Sequence, residues 1–166
     1  MLASYPYHLY NAVNQLSAYK KCKATLKSDE ALVVVDFAEN FTCREAVEVQ
    51  SGYYCRNSVT IHPMVMMFKN GETCESDAVT AISPDLNHDA TAVKTFLRYL
   101  DTHISIHHPT IKHLIVWSDG CACQYKSRLP MYNISQRVGM QNIEITWNFF
   151  GARHGKCEAD GEAAVV

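Results

Sequence analysis

No stretch of this 166-residue chain is long and apolar enough to cross a bilayer as a helix, which excludes an integral helical membrane protein and predicts no membrane partner. The opening residues, Met1 to Tyr10, lack the basic and apolar regions of a secretory signal, so none is expected there. Charge of one sign is also lacking. The 15 Lys and Arg stand against 17 Asp and Glu for a net charge of -2, so a nucleic-acid partner must be met by local patches. Cys22, Cys43, Cys55, Cys74, Cys121, Cys123 and Cys157 are odd in number and scattered, which speaks against a disulfide framework and for a reducing, intracellular setting. In that setting the glycosylation patterns Asn40-Phe41-Thr42 and Asn133-Ile134-Ser135 carry no weight. No helix-turn-helix or zinc-finger spacing is visible, so sequence-specific DNA reading is expected outside this chain.

What is present is a core. With 48% hydrophobic residues, the chain is large enough for one domain with its own interior. Two apolar runs stand out. Leu32-Val33-Val34-Val35-Asp36 is short, β-branched and without polar alternation, as befits a central strand buried on both faces. His113-Leu114-Ile115-Val116-Trp117-Ser118-Asp119-Gly120 has the same shape. Both runs finish in an acid. Two carboxylates side by side at one sheet edge repel unless a cation neutralises them, which points to a divalent metal site.

The rest of the chain frames these strands. Leu9, Val13 and Leu16 recur at helical spacing, with Lys20, Lys21, Lys23 and Lys27 behind them, predicting a leading helix and basic linker over residues 1–30. Residues 45–56 are ambiguous between helix and loop. Val59 to Phe68 reads as a strand that Pro63 forces to an edge or a bulge, and Asn70-Gly71 as a turn leading into a strand over Asp77 to Ile82. Asp89 is a plausible cap for a helix with Ala92, Val93, Phe96, Leu97 and Leu100 on its apolar face. Gln124 to Gly139 reads as a weak helix closed by Gly139. Ile143, Ile145, Trp147 and Phe149 alternate as a half-buried strand, and His154 to Val166 opens a final helix. The order βββ-α-β-α-β-α predicts an α/β fold of the ribonuclease H-like kind over 31–166, a mixed sheet with helices on both faces. The ending in the opening of a helix suggests a piece of a longer protein. Trp117 and Trp147 are expected in the core.

In that fold the first and fourth strands are neighbours, which would bring Asp36 and Asp119 together. Two metal ions about 3.5–4 Å apart would need a third acid. The last helix offers Glu158, Asp160 and Glu162; Glu158 and Asp160 are too close in sequence to share a helix face.

The motifs Asp36-Phe37-Ala38-Glu39-Asn40, Thr60-Ile61-His62-Pro63, Leu86-Asn87-His88-Asp89, Ser118-Asp119-Gly120-Cys121 with Gln124-Tyr125-Lys126-Ser127, and His154-Gly155-Lys156 with Asp160-Gly161 occur in an order that resembles one family. It is a family of transposon-derived proteins with a transposase- or integrase-like (DDE) ribonuclease H core, and the resemblance runs from Asp36 to the end. It implies catalytic acids at Asp36, Asp119 and Asp160 binding Mg²⁺ or Mn²⁺, with Glu158 or Glu162 as alternates for the third. It also implies cleavage or transfer of DNA strands, hence a nuclear setting and a homo-oligomer. Cys157 and Glu162 stand where that pattern has glycines.

Gln124, Lys126, Arg128, His154 and Lys156 are candidate DNA-backbone contacts, the cations for phosphate and the amide for hydrogen bonding. Two other functions stay open. One is a domesticated, non-catalytic relative that binds DNA or protein. The other is a zinc-stabilised binding module using Cys121, Cys123, His154 and Cys157, chemically adequate Zn²⁺ ligands at uncommon spacings.

Overall fold

A computed structural model describes residues 5–44, 56–141, 143–151 and 158–164 of the protein. Helix α1, Tyr5–Ala24, leads into strand β1, Glu30–Val35, and the short β2, Phe41–Thr42. Strands β3, Ser58–Asn70, and β4, Thr73–Ser83, form a long hairpin, followed by helix α2, Ala90–His107. Strand β5, His113–Ser118, helix α3, Arg128–Gln141, strand β6, Glu144–Phe149, and helix α4, Glu158–Ala163, complete the order. The stretch left ambiguous between helix and loop, 45–56, lies almost wholly outside the described residues.

The strands form one mixed six-stranded sheet. β3 pairs antiparallel with β4 along one edge and with β1, then β2, along the other. β1 pairs parallel with β5, and β5 parallel with β6. Across the sheet the order is therefore β4, β3, β1, β5, β6, and only β3 runs against the rest.

The continuous apolar run makes β1 the centre of this sheet. Ala31, Leu32, Val33, Val34 and Val35 are all fully buried. Alternation sends Ala31, Val33 and Val35 into a core with Val93, Phe96, Leu97 and Leu100 of α2. Leu32 and Val34 go to the other face, with Tyr19 of α1, Trp117 of β5, Phe150 and Ala159 of α4. Burying a Val or Leu side chain is worth about 1.5–3 kcal/mol, so this short strand anchors both layers.

Pro63 sits neither at an edge nor in a bulge, contrary to expectation. β3 is internal, with Pro63 in register opposite Thr80. In an antiparallel ladder a residue's N–H and C=O point the same way. The Pro63 carbonyl accepts from the Asp36 N–H, so the missing donor faces the spot where β1 ends and little pairing is lost. The hairpin turn is one residue further on than expected. Asn70 pairs with Thr73, leaving a two-residue loop in which Gly71 takes φ 62°.

α2 begins as expected: Asp89 accepts from the N–H groups of Thr91 and Ala92. On its inner face Asp101 forms a buried ion pair with Arg137 of α3. α1 is helical, but its core-facing side is not the anticipated one. Leu9, Val13 and Leu16 are exposed, whereas Ala12 and Tyr19 are buried. Ala12 packs so closely on Gly151 that a Cβ there would lie 2.8 Å from the Ala12 Cα. None of the described helices is long and apolar enough to cross a membrane.

Candidate metal centre at the ends of the central strands

β1 and β5 run in parallel register, with Val34 beside Trp117. Two residues further on, both chains reach an acid, Asp36 and Asp119. Neighbouring strands lie about 4.8 Å apart, so the two acidic residues leave the sheet side by side. Pleat alternation assigns Asp36 to the side of Leu32 and Val34, and Asp119 to the side of Ile115 and Trp117, the face covered by α1 and α4.

Both carboxylates are half-buried and tie down the loops behind them. Asp36 Oδ1 accepts from the Phe37 N–H at 2.9 Å, and Asp119 Oδ1 from the Cys121 N–H at 3.0 Å. A carboxylate has about four acceptor sites, so such a bond and a cation can share it. The hard oxygen donors fit Mg²⁺ or Mn²⁺.

Beneath them lies a buried pair. The loop after Asp119 winds around the Cys121 carbonyl, which accepts from the N–H groups of Tyr125 (2.8 Å) and Lys126 (3.0 Å). That winding drives Tyr125 fully into the core, where its hydroxyl meets His62 Nε2 at 2.9 Å. Burial pushes the Tyr125 phenol well above its usual range, and the charges of Asp36, Asp119 and Cys121 push it further. Both acids therefore act on one phenol, which stays protonated and hydrogen-bonds His62. Burial holds the His62 imidazole down at about 3. This floor is neutral.

The quoted motifs converge here. The Phe37 ring stacks on His88 at 4.3 Å and meets His62 edge-on at 4.6 Å. His88 Nε2 donates to Asn40 Oδ1 at 2.8 Å and lies 3.1 Å from the Thr60 hydroxyl, which itself donates to the Asp85 carbonyl. Residues from three separate motifs thus brace the loop that carries Asp36.

The three candidates for a third acid, Glu158, Asp160 and Glu162, are on α4, whose Ala159 is fully buried against β1 and β5 residues. Asp160 belongs to this helix, but its side chain lies outside the described residues. Glu158 is committed elsewhere: Lys23 Nζ donates to its Oε1 at 2.6 Å and the Tyr19 hydroxyl to its Oε2 at 2.5 Å. Burial raises the Glu158 carboxyl, yet these bonds outweigh it and hold it below the usual range. Glu162 is half-buried. An open cleft of about 760 Å³ runs between the segment after Asp36, Ile61 and Ala164 at the end of α4.

Among the candidate DNA contacts, Lys126 and Arg128 are exposed, with Lys126 Nζ 5.1 Å from the Phe149 ring centre, and Gln124 is half-buried. His154 and Lys156 lie outside the described residues. Of the alternative zinc set, the Cys121 and Cys123 sulfurs are 3.1 Å apart, while His154 and Cys157 again fall outside. Trp117 is buried, and Trp147 is half-buried with its indole N–H donating to the Ser118 hydroxyl at 3.0 Å. The two strand-end acids are legible in the residues alone, whereas the neutral Tyr125–His62 floor is not. Its only signal was the fixed company these residues keep in the motifs.

A family model described as Domain of unknown function (DUF8701) matches residues 15–166. No curated protein matches the chain.

Proposed function

The chain belongs to the DUF8701 family, and we propose that it is a transposase- or integrase-like domain on a ribonuclease H-like fold that cuts or transfers DNA strands with Mg²⁺ or Mn²⁺. The observation that carries this reading is the ending of β1 and β5 in Asp36 and Asp119, at equal register on neighbouring parallel strands. The strand order supports the finer fold assignment, because a three-strand meander continued by parallel strands, with only β3 reversed, is the topology expected of that fold. α4 supports the third acid. Glu158 is held by α1, which favours Asp160, with Glu162 as its alternate.

When bound, a pair of divalent ions there would supply activation of a water or a 3′-hydroxyl and charge stabilisation of the leaving oxygen. The protein's share is placement. Asp36, Asp119 and Asp160 would hold the cations. The Phe37–His88–Asn40 brace and the Tyr125–His62 floor fix where the first two acids stand. Lys126, Arg128 and Gln124 grip phosphates near the scissile bond, with His154 and Lys156 assigned to the same task from the sequence. A homo-oligomer in the nucleus would present two such centres to two DNA strands.

One observation favours a second reading, a relative that keeps the fold and binds DNA or protein without cutting it. Asp36 and Asp119 each hold a backbone N–H of their own loop, a structural use that needs no metal. Incubation with supercoiled DNA and Mn²⁺ separates the two. The catalytic reading expects metal-dependent nicking that Asp36→Asn, Asp119→Asn and Asp160→Asn each abolish without abolishing DNA binding. DNA binding with no nicking by the unmodified protein would select the second.

A further inference from the structure

A second group of ligating side chains lies on the outer strand, away from the strand-end acids. Asp77 of β4 stands opposite Met66, and its side chain faces α2. His103 Nε2 lies 2.6 Å and His108 Nε2 3.1 Å from the same oxygen, Asp77 Oδ2. The three candidate donor atoms are all within 4.8 Å of one another.

We propose that Asp77, His103 and His108 form a Zn²⁺ site that clamps the end of α2 to the sheet. Two histidines five positions apart on a continuous helix would point about 140° apart, since each residue advances about 100°. The helix does not continue. His108 is its C-cap, with φ −133° and ψ 53°, and this break turns the imidazole back toward His103. The His108 ring is held against Phe68, with ring centres 4.3 Å apart. Zinc bonds of about 2.0–2.2 Å place tetrahedral ligands about 3.3 Å apart. The present separations of 2.6 and 3.1 Å therefore need to open by about 0.7 and about 0.2 Å.

The donor set selects the ion. Two imidazoles and one carboxylate suit Zn²⁺, whereas Mg²⁺ prefers oxygen throughout. Burial raises the Asp77 carboxyl, but the bonds from His103 and His108 outweigh it and hold it below the usual range, so it is ready as an anionic ligand. The side chains of His103, His108 and Asp77 are 24%, 14% and 36% exposed, open enough to load from solution. Binding moves the proton of each imidazole from Nε2, where it now serves the carboxylate, to Nδ1. Water would take the fourth position.

The test loads the chelator-stripped full chain with Zn²⁺ alone, removes excess by dialysis and measures metal per chain together with the melting temperature. One zinc per chain and a raised melting temperature are expected, unchanged in Asp36→Asn and in the double variant Cys121→Ser/Cys123→Ser. The double variant His103→Gln/His108→Gln should lose the metal. Asp77→Asn keeps a hydrogen-bond acceptor for both imidazoles and so keeps the fold, while affinity for zinc should fall roughly tenfold or more. The proposal is overturned if the unmodified protein retains no zinc, if Asp77→Asn binds it undiminished, or if zinc leaves with the cysteines instead.

Discussion

His62 makes the protein's stability depend on pH between 6.5 and about 3. The ring is fully buried, shares a hydrogen bond between Nε2 and the Tyr125 hydroxyl and packs edge-on against Phe37. Burial lowers its pKa from 6.5 to about 3. Between those values the unfolded chain accepts a proton that the folded one refuses, so stability falls as pH drops below 6.5 and goes on falling toward 3. At pH 5 the loss is about 1.36 kcal/mol for each of 1.5 pH units, or about 2 kcal/mol. In a domain of this size each kcal/mol shifts melting by about 2–4 °C, so the drop from pH 7 to pH 5 should be about 4–8 °C. Asp77, Glu30 and Glu158, carboxyls held below their usual range, stabilise the fold at neutral pH and lose that contribution only at lower pH. The assay is thermal melting between pH 7 and 5, comparing the protein with His62→Gln, whose amide keeps a partner for Tyr125. The variant should be less stable at pH 7 but about 2 kcal/mol less sensitive to the change. Parallel curves for the two proteins would refute the reasoning.

Other packing features give sharp expectations. Asp101→Ala leaves the Arg137 guanidinium buried without its counter-charge and should cost about 3–5 kcal/mol in denaturant melts. Gly151→Ala drives a methyl into the Ala12 backbone and should destabilise by about 1–3 kcal/mol, whereas Gly120→Ala, whose nearest neighbour is 4.0 Å away, should stay within about 0.5 kcal/mol. Asp89→Ala removes the α2 cap and should cost about 1 kcal/mol in the same melts.

Continuous β-branched runs have few alternatives to a doubly buried strand, which is why β1 and β5 were legible in the chain itself. The α2 face was legible for a similar reason, since Val93, Phe96, Leu97 and Leu100 recur at helical spacing behind an acid that caps. Pro63 misled because local chemistry predicts an edge, whereas what decides is which side the missing N–H faces and where the partner strand stops. α1 misled because Leu9, Val13 and Leu16 mark an apolar stripe, yet close approach to Gly151 favours the small Ala12. The Asp77–His103–His108 group carries no recognisable spacing. Its convergence depends on strand pairing and on the helix breaking at His108, neither of which is local.

The central claim is that Asp36 and Asp119 share a cation, and a Mn²⁺ titration of the melting temperature tests it most directly. At one hundred times the dissociation constant, binding adds about 2.7 kcal/mol, worth about 5–11 °C. Asp77→Asn serves as the background, so that manganese at the histidine group does not contribute. In that background a saturable upward shift is expected. Adding Asp36→Asn should raise the metal-free melting temperature, because it removes like-charge repulsion, and should erase the shift. A shift that survives Asp36→Asn, or none at millimolar Mn²⁺ in a folded protein, would contradict that claim.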